Sequence, residues 1–193
     1  SVDGAIIDNL SFNNLKMVYV NAPIFIMLGK RMRGPKELEV GSISNIKISN
    51  LVATGPYPEK YKTKLWNYPS YKNKVEFQDR WNFWGIENID TSHEDKNRPW
   101  QLTSNICGLS NKSLKNITLS NITLEVYGNA KKEQYPLEVI DDCSGYPEAF
   151  AYGWILPASG LFIRHVDGLI MENINVTTIK EDAREKIIKI DCK

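Results

Sequence analysis

The chain has 193 residues, 42% of them apolar, enough to bury one sizeable core. Its formal net charge of +1 gives the whole molecule no electrostatic preference for nucleic acid or a membrane surface. No run approaches the ~20 apolar residues of a transmembrane helix, and the first residues lack the basic-then-apolar order of a signal peptide.

The first element is Asn9-Leu-Ser-Phe-Asn-Asn14-Leu15. Leu10 and Phe12 alternate with polar residues, the period of a strand with one buried and one wet face. The pattern returns as Asn45-Ile-Lys-Ile-Ser-Asn50-Leu51 and Asn116-Ile-Thr-Leu-Ser-Asn121-Ile122. A fourth copy, Gly168-Leu-Ile-Met-Glu-Asn173-Ile174, has Gly in place of the first Asn. The second Asn is expected to end one strand and bend the chain into another, because Asn tolerates left-handed backbone. Stacked bends would let the asparagine amides hydrogen-bond from copy to copy. The copies begin at residues 9, 45, 116 and 168, too unevenly for a solenoid with a constant loop. A parallel β-helix allows such spacing, since its coils stack about 4.8 Å apart and loops leave from the corners.

Other short apolar runs lie between the copies: Ile24–Leu28, Thr103–Cys107, Leu161–Ile163 and Ile187–Ile190. They supply a third sheet, one strand per coil. The expected fold class is all-β, a single-stranded parallel β-helix of about four rungs with long loop insertions, as one domain over 1–193. The first insertion, 55–102, holds Trp66, Trp81, Trp84 and Trp100 and four of the nine prolines. Such a segment is too aromatic for a flexible linker. Its aromatic faces suit a wall of a carbohydrate cleft, or a mini-core that packs the loop on the flank of the stack. The second insertion, 128–159, carries Tyr146–Phe150 and Trp154.

The three cysteines, Cys107, Cys143 and Cys192, cannot all pair within the chain. Buried thiols are expected, with one disulfide as the alternative. No CxxC occurs and the only histidines are His93 and His165, so no metal site and no cofactor are expected. Five Asn-x-Ser/Thr sequons occur, at Asn9, Asn111, Asn116, Asn121 and Asn175; three fall on the repeat's own asparagines and follow from it.

The asparagine-bounded coils, Ala22–Gly29, Trp100–Ile106, Glu181–Arg184 and above all the stretch from Tyr146-Pro-Glu through Arg164-His-Val-Asp-Gly168 carry a resemblance. They resemble the C-terminal portion of glycoside hydrolase family 28, the polygalacturonase-like group, in its gut Bacteroidetes form. The resemblance implies a right-handed β-helix that hydrolyses galacturonic-acid-containing pectin with inversion, in the periplasm or outside a bacterial cell. One carboxylic acid would protonate the leaving oxygen while others activate water across a wider gap. Of the family's signature elements, an Asn-x-Asp motif, an Asp-Asp pair, a Gly-His-Gly motif and an Arg-x-Lys motif, none is read in this sequence in its proper context. Gly-His-Gly is missing, and the one Asp pair, Asp141-Asp142, lies in a loop after the third copy of the repeat. The catalytic carboxylates are therefore expected upstream of Ser1, and this chain by itself is expected to be inactive.

Four cations follow the Ile24–Leu28 strand, and Lys30, Arg31 and Arg33 suit the carboxylates of a polyuronate, or form a solvated basic turn. Trp84, and Arg164 and His165 at a strand end, complete the substrate-binding candidates; a lone His there is otherwise a packed, hydrogen-bonded residue. The expected partners are a pectic polysaccharide and either the N-terminal half of the same protein or a second copy stacked end to end, because a cut β-helix exposes unpaired edges. Two other readings are a non-catalytic carbohydrate-binding, adhesin-like or tailspike-like module and a calcium-dependent lyase. The second needs clustered carboxylates on the strands, and none is evident.

Overall fold

The computed structural model describes residues 3–18, 20, 22–54, 102–141, 152 and 155–193. Most of the first insertion, Trp84 included, lies outside the described residues, as do Asp142, Cys143, Tyr146–Phe150 and Trp154.

The described chain is almost wholly β. Its strands are β1 (Ile6–Val18), β2 (Phe25–Met27), β3 (Ser42–Thr54), β4 (Ser104–Cys107), β5 (Leu114–Val126), β6 (Ala158–Thr178) and β7 (Glu185–Cys192). All pair in parallel within one curled sheet, in the order β1-β3-β5-β6-β4-β2, with β7 added to β6. The long strand β6 joins the two halves. Its first part pairs with β4 and β7, its second with β5.

The asparagine repeat sets the register. Leu10 faces Ile46, Ile46 faces Ile117, and Ile117 faces Leu169. The four other apolar runs form β2, β4, the start of β6 and β7, stacked in that order, one per layer.

In one respect the sequence expectation needs correction. The second Asn does not end a strand; each strand runs on through both bend positions of its copy, and pairing skips the bend residue and resumes in the same register on its far side. Both carry the bend. Asn9, Asn14, Asn45, Asn50, Asn116, Asn121 and Asn173 all have φ between 53 and 58°, the left-handed region that favours Asn and Gly. The bends lie in two columns, and their amides form two ladders. Asn173 Nδ2 donates to Asn121 Oδ1 (2.9 Å) and Asn121 Nδ2 to Asn50 Oδ1 (3.0 Å). In the other column Asn116 Nδ2 donates to Asn45 Oδ1 at 2.9 Å. Gly168, with φ 77°, stands where a Cβ would meet Asn116 Oδ1 at 2.7 Å, so the fourth copy has no room for another Asn.

The alternate residues point inward and stack as columns: Ile46 on Ile117, Ile48 on Leu119, Leu51 on Ile122 and Ala53 on Leu124, all buried. The first part of β6 is buried on both faces. Leu161 and Ile163 join the interior, while Phe162 packs outward with Cys107, Val139, Leu156 and Ala158. This accounts for its unbroken apolar run.

At the β1 end the columns are uncovered. Leu10 and Phe12 are 42% and 45% exposed, against 3% and 6% for Ile46 and Ile48 one layer in. Ile117→Ala should therefore cost about 2–5 kcal/mol, and Leu10→Ala clearly less, read from urea midpoints. Asn121→Val loses two ladder bonds and strains a left-handed residue, about 2–4 kcal/mol in all; Asn121→Gly, free of the strain, should cost less.

Candidate functional site

The basic turn after β2 is tied to the start of the chain. Asp3 accepts from Arg31 Nη2 (3.1 Å) and from the backbone N–H (3.1 Å), Nε (3.1 Å) and Nη2 (2.8 Å) of Arg33. The Arg33 guanidinium, aided by its backbone N–H and by Arg31, holds the Asp3 carboxyl at about 2. Arg33 remains largely exposed, Arg31 is half-buried and Lys30 is exposed. These three cations thus share one small surface beside the outermost strand of their half of the sheet, with part of their charge answered by Asp3.

Arg164 is only 3% exposed. Its Nη1 donates to the Val139 carbonyl at 2.9 Å and its Nη2 to the Ile140 carbonyl at 3.3 Å. The guanidinium lies 4.6 Å from the Tyr152 ring centroid and 3.5 Å from Asp141. His165 is a bend residue, φ 53°, in a column with Gly108 and Asp191. A Cβ on Gly108 would collide with the His165 carbonyl. His165 Nδ1 lies 2.9 Å from Asp191 and Nε2 lies 3.4 Å from Asp141. Partial burial pushes the Asp141 carboxyl up, but the Ser110 hydrogen bonds and the charge of Arg164 outweigh it and hold the group below the ordinary range. Arg164 and His165 thus anchor the loop at 139–141 to the stack. Neither meets the Arg31–Arg33 surface through any contact described.

A second anchor escapes a reading of the sequence. Arg184 and Asp182 form a buried two-pronged ion pair, Nε to Oδ1 at 2.9 Å and Nη2 to Oδ2 at 2.8 Å. Arg184 Nη1 also reaches Thr103 Oγ1 and the carbonyls of Leu156 and Ala158, joining three segments. In the sequence Glu181–Arg184 carries only part of the resemblance, and nothing local marks Arg184 as buried. Two motif spellings are missed as well. Arg184-Glu-Lys186 is an Arg-x-Lys string, but its Arg is this anchor; Asn88-Ile-Asp90 is an Asn-x-Asp string outside the described residues.

Along the second ladder runs an open groove of about 540 Å³, lined by Asn50, Val52, Asn121, Thr123, Asn173 and Asn175 among others. The amides of Asn50, Asn121 and Asn173 are already engaged in the ladder. Cys107 is buried and Cys192 half-buried, and the two form no disulfide with each other. Among the described residues no group of three His, Cys, Asp or Glu is placed to hold a metal ion. Comparison with protein-family models, with curated proteins and with solved structures gives no match.

Burial pushes Asp182 up, but the hydrogen bonds and charge of Arg184 win and its carboxyl lies below the ordinary aspartate value. A depressed carboxyl adds stability above its unfolded value, and that stability is lost as pH falls through the folded one. Urea stability should therefore decline below about pH 4. Asp182→Asn should flatten that acid slope, and by stranding Arg184 should cost about 3–5 kcal/mol at pH 7.

Proposed function

We propose that the chain is the C-terminal part of a right-handed, single-stranded parallel β-helix, and that the protein it completes is a polygalacturonase-like glycoside hydrolase. Its substrate is galacturonic-acid-containing pectin, cleaved with inversion in the periplasm or outside a bacterial cell, with the catalytic carboxylates upstream of Ser1. The observation that carries this reading is the register. Each asparagine-bent strand lies directly on the last, a short strand of the β2-β4-β6-β7 half serves each layer, and the apolar interior is left open at β1. The Tyr146–Gly168 resemblance supplies the chemistry.

On this reading Lys30, Arg31 and Arg33 extend the cleft by one layer and meet uronate carboxylates. Arg164 and His165 hold the flank rather than touch the sugar. Trp84 belongs to the insertion beside it.

The test is reducing-end release from polygalacturonate. The chain alone should release none; the product of the full gene should release it with inversion, and a full-length product that does not would end the proposal. In that product, Arg31→Ala with Arg33→Ala should raise KM severalfold with little change in kcat; an unchanged KM would remove both residues from the cleft. A second reading, a non-catalytic carbohydrate-binding or adhesin-like module, draws support from Asp3, Asp141 and Asp182, each of which is turned toward arginine. It would show as polygalacturonate binding without cleavage by the full gene product.

A further inference from the structure

The two ends of the described stack are complementary. At one end β1 pairs with β3 along one edge and presents the other edge unpaired among the described strands. At the other end β6 pairs with β5 over its second part, and β7 covers only its first part, through Val166. The far edge of β6 beyond Leu169 is unpaired among the described strands. Parallel strands with open edges pair readily with another strand of the same direction.

The side chains on these edges match as well. At the β1 end Leu10, Phe12, Leu15 and Met17 continue the inward columns; at the β6 end Leu169, Met171, Ile174 and Val176 continue the same columns. Both asparagine ladders also have a direction. Every amide nitrogen donates toward the β1 end: Asn173 to Asn121, Asn121 to Asn50, and Asn50 to Asn13 Oδ1 at 2.8 Å. The Asn173 ladder therefore leaves donors at the β1 end, where Nδ2 of Asn13 and Asn14 has no partner among the described residues, and acceptors at the β6 end, Asn173 Oδ1 and the exposed Glu172 carboxylate; the Asn116 ladder ends instead on the Asp8 carboxylate and at Gly168.

We propose that two copies of this chain stack head to tail, the β1 edge of one on the β6 edge of the next, in the register that sets Asn14 opposite Asn173. Phe12 then covers Met171, Leu10 covers Leu169, and Leu15 covers Ile174. Asn14 donates to Asn173 and Asn13 to Glu172, so both the columns and the ladder continue across the seam without a change of direction. Cys192 and Lys193 already occupy the rung beside Val166–Leu169, so the seam begins at Leu10. Asp8 thereby avoids facing Asp167 of the next copy. The contact joins two different surfaces and does not close on itself, so it propagates as an open series. The inference rests on the open layers and not on the pectin chemistry. In a longer polypeptide an upstream coil would compete for the same edge of β1.

Sedimentation velocity on the 193-residue chain over a hundredfold concentration range reads this directly. The expected result is a concentration-dependent series of species. Phe12→Lys, which blocks the β1 edge, and Met171→Lys, which blocks the β6 edge, should each leave a folded monomer by circular dichroism. Their equimolar mixture should give a dimer and nothing larger, because each keeps the one edge that the other has lost. Where Met171→Lys impairs folding, exposed Glu172→Lys serves as the β6-edge variant. A monomer at every concentration would overturn the proposal, as would self-association by either folded variant or failure of the mixture to dimerise.

Discussion

Left-handed backbone at fixed places in every layer is the constraint on which the rest depends. A strand that bends at two residues five apart stacks on its neighbour only if that neighbour bends at the same two places. Asn meets the demand twice over. It enters the left-handed region at low cost, and its amide offers both a donor and an acceptor along the stacking direction. The bends bring the residues beside them, Ile46 and Leu51 or Ile117 and Ile122, inward in register. The buried columns and the ladders are thus two consequences of one backbone requirement. Where the ladder yields, at Gly168, the backbone demand is still met, by the one residue that needs no Cβ.

The anchors act on a different part of the molecule. In the half built from β2, β4, the first part of β6 and β7 the paired stretches are short, and the outer face is covered by segments with no strand pairing of their own. Arg164 draws in the 139–141 loop through two carbonyls, and Arg184 does the same for the 156–158 segment and Thr103. A guanidinium suits this task because its rigid donors satisfy several carbonyls that burial would otherwise strand. Both guanidinium groups are thus engaged in holding the fold, whereas Lys30 and Arg33 stay exposed at the turn after β2.

Register and the strand character of the short apolar runs were legible in the sequence because they follow from residue spacing, period two within a strand and five residues between bends; the separate third sheet expected of those runs is not seen, since they belong to the same curled sheet. What the spacing could not convey was partnership. Arg184 lies among Glu181, Asp182 and Lys186, and nothing local shows that one of these charges is buried. Arg164 and His165 were recognised as unusual, but their partners Val139, Asp141 and Asp191 are fixed only by the folded stack. The basic turn likewise looked free until Asp3, nearly thirty residues away, took up its guanidinium groups. The bend at the first Asn of each copy was missed for another reason: the strand continues on both sides of it, so the sequence shows no break there.

The end layer shows how a repeat accommodates its own boundary. If the repeat continued unchanged, Asn45 and Asn50 would donate to Asn9 and Asn14. Instead they donate one residue earlier, to Asp8 and Asn13, and Ser44 and Ser49 converge on those same two oxygens. At Asp8 the Ser44 and Asn45 bonds hold the carboxyl below its ordinary range, as expected of an acceptor strengthened by charge. The same shift at Asn13, which is neutral, shows that charge is not its cause; two donors from adjacent residues meeting on one oxygen is the shared element. This doubled acceptance satisfies the ladder from within but leaves the amide nitrogens of the end layer turned outward. It also does nothing for Leu10 and Phe12, whose burial needs another apolar layer and not another hydrogen bond. The boundary is thus polar-satisfied on one side and apolar-exposed over its interior, the combination that favours a further strand in register over solvent.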